Sequence, residues 1–120
     1  DYNHSRNEQQ NNPTFLSNRG WVLDNLGHYD EALVDYTHSL NLRPNHAITL
    51  NNRARTLNNL GRYLDALVDC DYCLELEPNF EAAKANKKNI LHTIIHNKKH
   101  EINFNIFNFF VRTVFLFPYN

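Results

Sequence analysis

The chain has 120 residues, a net charge of −1 and two cysteines. A length of this order supports one compact core, and folding would remove roughly two thirds of the unfolded surface from water. The near-neutral balance excludes the basic stripe that nucleic-acid binding requires. Cys70 and Cys73, with no secretory leader pattern ahead of them, are expected to stay reduced, which favours a cytoplasmic location.

At the N-terminal end, residues 1–12 read as the end of a helix followed by a polar link. Asp1, Tyr2, His4 and Ser5 reappear in the same order and spacing as Asp35, Tyr36, His38 and Ser39, and no initiating Met is present. The chain is therefore expected to open inside an earlier structural unit of a longer reading frame. From Pro13 an ordered helix is predicted, because proline suits the first helical turn, where its missing N–H costs nothing. Phe15, Leu16, Val22, Leu23 and Leu26 recur at helical spacing along it, and Gly27 supplies a left-handed stop. A second helix is predicted over about 30–42. Asp30 and Glu31 stand in its first turn, where the helix dipole favours anions, and Ala32, Leu33, Tyr36 and Leu40 form its buried stripe. Pro44 ends it.

The same text then returns. Gly27-His28-Tyr29 meets Gly61-Arg62-Tyr63, Ala32-Leu33-Val34-Asp35 meets Ala66-Leu67-Val68-Asp69, and Pro44-Asn45 meets Pro78-Asn79, all at one constant offset. Helices over about 47–60 and 64–76 are expected accordingly. Connections this short make consecutive helices antiparallel neighbours. A further helix over about 81–97 follows, with Ala82, Ala83, Ala85, Ile90, Leu91, Ile94 and Ile95 as its apolar face. There the pattern fails, since Ile95 stands one period after Gly61 and Arg112 one period after Pro78. Lys84, Lys87, Lys88 and Lys98 give that helix the polar face of a terminal cap.

Residues 99–120 turn abruptly to Phe, Ile and Asn. They are too short and too polar for a membrane span, which needs roughly 20 apolar residues. Three readings stay open for this tail: an extra helix packed on the last repeat, a sticky disordered segment, or translated non-coding sequence with A/T-rich codons.

The offset between the two copies is ~34 residues, a period that marks stacked helical hairpins. The chain resembles the tetratricopeptide repeat family, whose pattern is W-x2-L-G-x2-Y, A-x3-F and P. In residues 13–46 these places hold Leu16, Arg19, Gly20, Leu23, Ala32, Tyr36 and Pro44. In residues 47–80 they hold Leu50, Arg53, Ala54, Leu57, Ala66, Cys70 and Pro78. The resemblance implies an all-α solenoid of two full repeats plus a capping helix over 81–98. Its first helices would line a concave groove and its second helices would form a convex back. Family members mostly bind peptide segments in that groove, so a protein or peptide partner is expected, without cofactor, metal or catalysis.

The groove residues expected on this basis are Asn18, Asn52 and Asn86, with Asn25 and Asn59 as a second pair one period apart, and Trp21 with Arg55 at matching places. An Asn amide carries both donors and an acceptor, so a ladder of them can pair with an extended backbone without demanding particular side chains. The bland alternatives are asparagines that satisfy neighbouring helix backbones or simply face water, and a buried Trp21. The clamp by which some relatives seize chaperone C-termini is not expected. Of its five positions only Asn52 matches, while Ser17, Trp21, Ala82 and Asn86 replace the others.

Cys70 and Cys73 have metal-site spacing but no second ligand pair, so two core thiols are expected. His92, His96 and His100 share one helix edge, best read as solvated, and the acids of the second helices suit a solvated back. The function expected is a scaffold or adaptor. The alternative is a recruiting arm of a larger enzyme, such as a glycosyltransferase, of which this chain is a fragment.

Overall fold

The computed structural model describes residues 9–116. The expected remnant of an earlier repeat at 1–5 and the last residues of the tail, 117–120, lie outside the described residues. The chain divides into two compact units, Asp1–Ile90 and Leu91–Asn120. The first unit contains α1 (Pro13–Asn25), α2 (Tyr29–Leu42), α3 (Ala47–Asn59), α4 (Tyr63–Leu76) and the start of α5 (Glu81–Val111).

Local chemistry sets each boundary. Asn12 caps α1, its Oδ1 accepting the N–H groups of Thr14 at 2.9 Å and Phe15 at 3.1 Å, with Pro13 in the first turn. The α1 and α3 helices both end in glycines with left-handed backbone, Gly27 at φ 82° and Gly61 at φ 79°. That conformation lets the His28 N–H reach back to the Leu23 carbonyl, and the Arg62 N–H to the Leu57 carbonyl, closing the last turn of each helix. The chain then reverses into α2 and α4. These end at Leu42 and Leu76, because Pro44 and Pro78 force the residues before them, Arg43 and Glu77, out of the helical region.

The hairpins α1–α2 and α3–α4 bury the predicted small and apolar positions: Leu16, Gly20, Ala32, Tyr36 and Leu40 in the first, and Leu50, Ala54, Leu57, Ala66, Cys70 and Cys73 in the second. Between the hairpins, Leu40, Ala47, Leu50, Cys73 and Ala83 form one cluster, so the start of α5 closes the second hairpin as α3 closes the first. One bond appears twice at the repeat spacing. Ser39 Oγ donates to the Pro13 carbonyl at 2.7 Å, and Cys73 Sγ to the Ala47 carbonyl at 3.3 Å. The second cysteine thus takes the part of a serine, and both thiols are free and buried.

Three expectations change. Val22 and Leu26, predicted on the apolar face of α1, are exposed, and the helix instead buries Leu16, Ser17, Gly20 and Asp24. The α1 helix packs on both α2 and α3, and its inner edge holds small and polar side chains that find partners there. The acids of the second helices do not all face solvent. Asp35 and Asp69 are buried, held by Arg19 (2.6 and 2.8 Å) and Arg53 (2.7 and 2.8 Å) in identical two-pronged pairs. Finally, the helix expected to end near residue 97 continues to Val111 and passes into a π-helical turn, Arg112–Leu116. Residues 81–117 contain neither glycine nor proline, so nothing stops it.

In the second unit the described residues are helical, and nearly all their side chains are exposed, including Ile95, Ile102, Phe104, Ile106 and Phe107. The described part of the tail is therefore helix. Among the described residues no helix is long and apolar enough to cross a membrane.

Candidate functional site

On the side of the first unit formed by α1 and α3 lies a groove of about 500 Å³. Thr14, Asn18 and Trp21 stand along one edge of α1 at helical spacing, and Ile48 and Asn52 repeat Thr14 and Asn18 on α3. Ser17 with Arg43 and His46, from the turn between α2 and α3, completes the lining. The repeat thus presents equivalent side chains side by side, because equivalent helices lie next to each other.

Of the seven expected groove residues, Asn18, Trp21 and Asn52 line this groove. Trp21 is 49% exposed, so it is not a core residue. Asn18 is exposed and Asn52 half-buried. Among the described residues no side-chain hydrogen bond engages either amide.

The other four lie elsewhere. Arg55 turns to Asp24, its Nη2 at 3.1 Å from a carboxylate that is buried and also accepts from Thr56 Oγ1 at 3.0 Å. A residue expected to face a partner thus helps satisfy a buried acid between α1 and α3. Asn86 donates its amide to Asn51 Oδ1 at 2.7 Å, tying α5 to α3. Asn25 and Asn59, at the C-terminal ends of α1 and α3, are exposed and outside the groove lining. An offset of one full period guarantees equivalent places on equivalent helices, but the chain around each place decides whether the amide stays available.

Thr14, Ser17, Arg43, His46 and Ile48 also line the groove and were not among the expected residues. The signal for Ile48 and Thr14 was present, since they share a column in successive repeats and lie one turn before Asn18 and Asn52. Ser17 Oγ and Thr49 Oγ1 lie 2.7 Å apart, and Thr49 Oγ1 lies 2.6 Å from His46 Nδ1, so a short polar chain fixes the groove end. Burial, and then the positive charge of Arg43, hold the His46 imidazole below its usual pKa. The Arg43 Nε is buried and has no hydrogen-bond partner among the described residues.

Residues of α2, α3 and α4 line a smaller cavity of about 290 Å³, whose charged lining is already self-paired through Arg53–Asp69 and Arg62–Asp65. Burial pushes the Cys70 thiol up to about 11 and raises Cys73 as well, which keeps both protonated and poorly nucleophilic near neutrality. The rings of His96 and His100 meet edge to face at 4.5 Å. Among the described residues no group of three or more His, Cys, Asp or Glu side chains could hold a metal ion.

The sequence model described as "Tetratricopeptide repeat" matches residues 13–46, and a second model of the same description matches residues 35–68. No curated protein matches the chain. Among solved structures, the first TPR of Spaghetti (RPAP3), bound to an HSP90 peptide, is 23% identical with a TM-score of 0.67, over 68% of this chain and 65% of that one. The TPR2B domain of yeast Sti1, in a complex with pHsp70, is 24% identical with a TM-score of 0.66, over 68% and 66% of the two chains. A tetratricopeptide repeat protein from Parabacteroides merdae is 29% identical with a TM-score of 0.65, over 85% of this chain and 39% of that one. This chain therefore spans just under two thirds of the first two and well under half of the third. The repeated text, the paired helical hairpins and these matches agree: residues 13–68 carry tetratricopeptide repeats, and the first unit has the fold of a tetratricopeptide repeat domain.

Proposed function

We propose that the chain is a non-catalytic interaction module whose α1/α3 groove holds an extended segment of a partner protein. The observation that carries this reading is the pair Asn18 and Asn52, one repeat apart in one groove, with amides unengaged by the described residues. Each can donate to and accept from a peptide backbone. Trp21 beside them offers the rigid aromatic surface in which binding energy concentrates, and Ile48 adds an apolar floor. The likeness to the Spaghetti domain, solved with an HSP90 peptide, supports the choice of a peptide as ligand class.

A chaperone C-terminus is not the proposed occupant. Ser17, which replaces the clamp lysine, is committed to Thr49, and Ala82 and Asn86 offer no positive charge on α5. The protonated, buried thiols support a non-catalytic role, and their unbridged state suits a reducing compartment such as the cytoplasm.

The test is binding of a randomised peptide library to the intact chain and to Asn18→Ala/Asn52→Ala and Trp21→Ala variants. Loss of an anchor worth ~2 kcal/mol weakens binding roughly thirtyfold. Adding Asn86→Ala should change little, because that amide is spent on Asn51. Undiminished binding by the Asn18→Ala/Asn52→Ala chain, with helicity intact, would remove the groove from consideration.

A further inference from the structure

The described end of α5 and the turn after it carry a pattern that the peptide groove does not use. Glu101, Asn105, Asn108 and Arg112 follow one another at helical spacing and form a narrow polar stripe. Every remaining position from 102 to 114 is apolar except Asn103 and Thr113. Phe107, Phe110 and Val114, with Asn103, recur at the four-three-four spacing of a coiled-coil seam. Phe104, Ile106 and Val111 flank that seam, and Asn105 and Arg112 stand directly opposite it. Phe104 is 63% exposed, Ile106 61%, Phe107 62% and Phe110 58%.

A helix with this much uncovered apolar surface is half of an interface. Taking ~200 Å² for a fully exposed aromatic residue, the side chains between Ile102 and Val114 present on the order of 700 Å². That exceeds the few hundred Å² common on monomers and approaches the ~800 Å² each partner gives to a standard interface. Charge narrows the choice of occupant. The lysines end at Lys99, and between Glu101 and Arg112 there is no charge at all. A charged partner would gain nothing there, whereas a second copy would meet no like charge along the seam. A parallel arrangement would set Lys98 and Lys99 level with their own copies, and an antiparallel one separates them.

We propose that two copies of this chain associate through residues 102–114 as an antiparallel pair. Phe107 of one copy packs on Phe110 of the other about a local twofold axis, and each Val114 lies at the level of the other copy's Asn103.

Light scattering on the intact chain, coupled to size exclusion at micromolar concentration, is the direct test. The expected mass is twice the 14.2 kDa of one chain. Phe107→Glu with Phe110→Glu should return it to 14.2 kDa, the dissociation constant rising at least ~100-fold because charge would be buried in an apolar seam. Asn105→Lys, on the outward stripe, should leave the dimer intact. Far-ultraviolet circular dichroism checks that the double glutamate chain keeps its helices. A second measurement does not depend on that variant. When a Phe107→Cys chain is mixed with a Phe110→Cys chain, the antiparallel pair forms the mixed disulfide, and a parallel pair forms only the two like ones. A monomeric unmodified chain overturns the proposal, as does a double glutamate chain that remains dimeric. So does a chain that is monomeric in solution yet sediments with phosphatidylcholine–phosphatidylserine vesicles, which would assign the face to a bilayer surface.

Discussion

In the first hairpin Gly20 faces the ring of Tyr36, and in the second, one period on, Ala54 and Cys70 take the same places. All four positions are buried. A Cβ on Gly20 would lie 2.8 Å from two ring carbons of Tyr36, closer than the atoms tolerate. One hairpin therefore combines the smallest residue with an aromatic ring, and the other combines two small ones. The repeat holds the backbone fixed and lets the pair share a roughly constant volume, so the allowed residue at one place depends on its partner across the hairpin. Family positions are read column by column, but the physical unit here is the pair.

Moving one member of a pair alone should give the largest effect. Tyr36→Cys gives the first hairpin the partner that suits the second while leaving Gly20 in place, so it opens a void and should cost about 3–4 kcal/mol in denaturant unfolding. Gly20→Ala by itself drives a methyl group into the ring and should cost about 2 kcal/mol. Together they rebuild the Ala–Cys pair of the second hairpin, and the double variant should be more stable than the sum of the single losses predicts. Strict additivity would show that the two places are independent.

A second test uses titration. Burial pushes the Cys70 thiol from 9.0 to about 11, so the folded chain holds that proton more tightly than the unfolded one. Its contribution is complete below pH 9 and is lost as the pH rises through 11, an effect of about 3 kcal/mol. Burial raises Tyr36 too, from a higher starting value, so the first hairpin should lag the second in this window. Cys70→Ala should make the stability profile less steep between pH 9 and 11, leaving the slope due to Cys73 and Tyr36, and an unchanged profile would assign the loss elsewhere.

The smallest effect compares the two arginine pairs, alike in geometry but not in shelter. The Arg53 side chain is 22% exposed and that of Arg19 47%, while Asp69 and Asp35 are almost equally buried. Replacing either arginine by Met strands an acid away from water. Arg53→Met should cost about 2 kcal/mol and Arg19→Met about 1 kcal/mol, since water more easily replaces the more exposed partner. Equal costs in thermal unfolding would mean that shelter does not matter at this pair.

What could be read in the residues, and what could not, divides along the same line. Helix ends were legible because single residues fix them: Gly27 and Gly61 by left-handed backbone, Pro44 and Pro78 by steric exclusion. The buried stripe of α2 was legible because Ala32, Tyr36 and Leu40 are apolar and periodic. The inner edge of α1 was not, since Ser17 and Asp24 are polar and become tolerable inside only through Thr49, Thr56 and Arg55, which lie almost a full repeat further along the chain. The same holds for Asp35 and Asp69, which look solvated until Arg19 and Arg53 are placed across from them. In the groove, Asn18, Trp21 and Asn52 were expected because the family resemblance puts the first helices of each hairpin on that side and the repeat pairs their places. Arg43 and His46 could not, because they come from a turn whose path is set by packing rather than by period.

The continuity of α5 bears on how such arrays end. Where Gly61 makes the chain double back, the residue one period later is Ile95, whose Cβ makes the left-handed reversal costly, and the helix simply runs on. Without a glycine at that place the strut cannot double back into another step, and the residues beyond it, with His100 where Ala66 would recur and Arg112 where Pro78 would, no longer spell one.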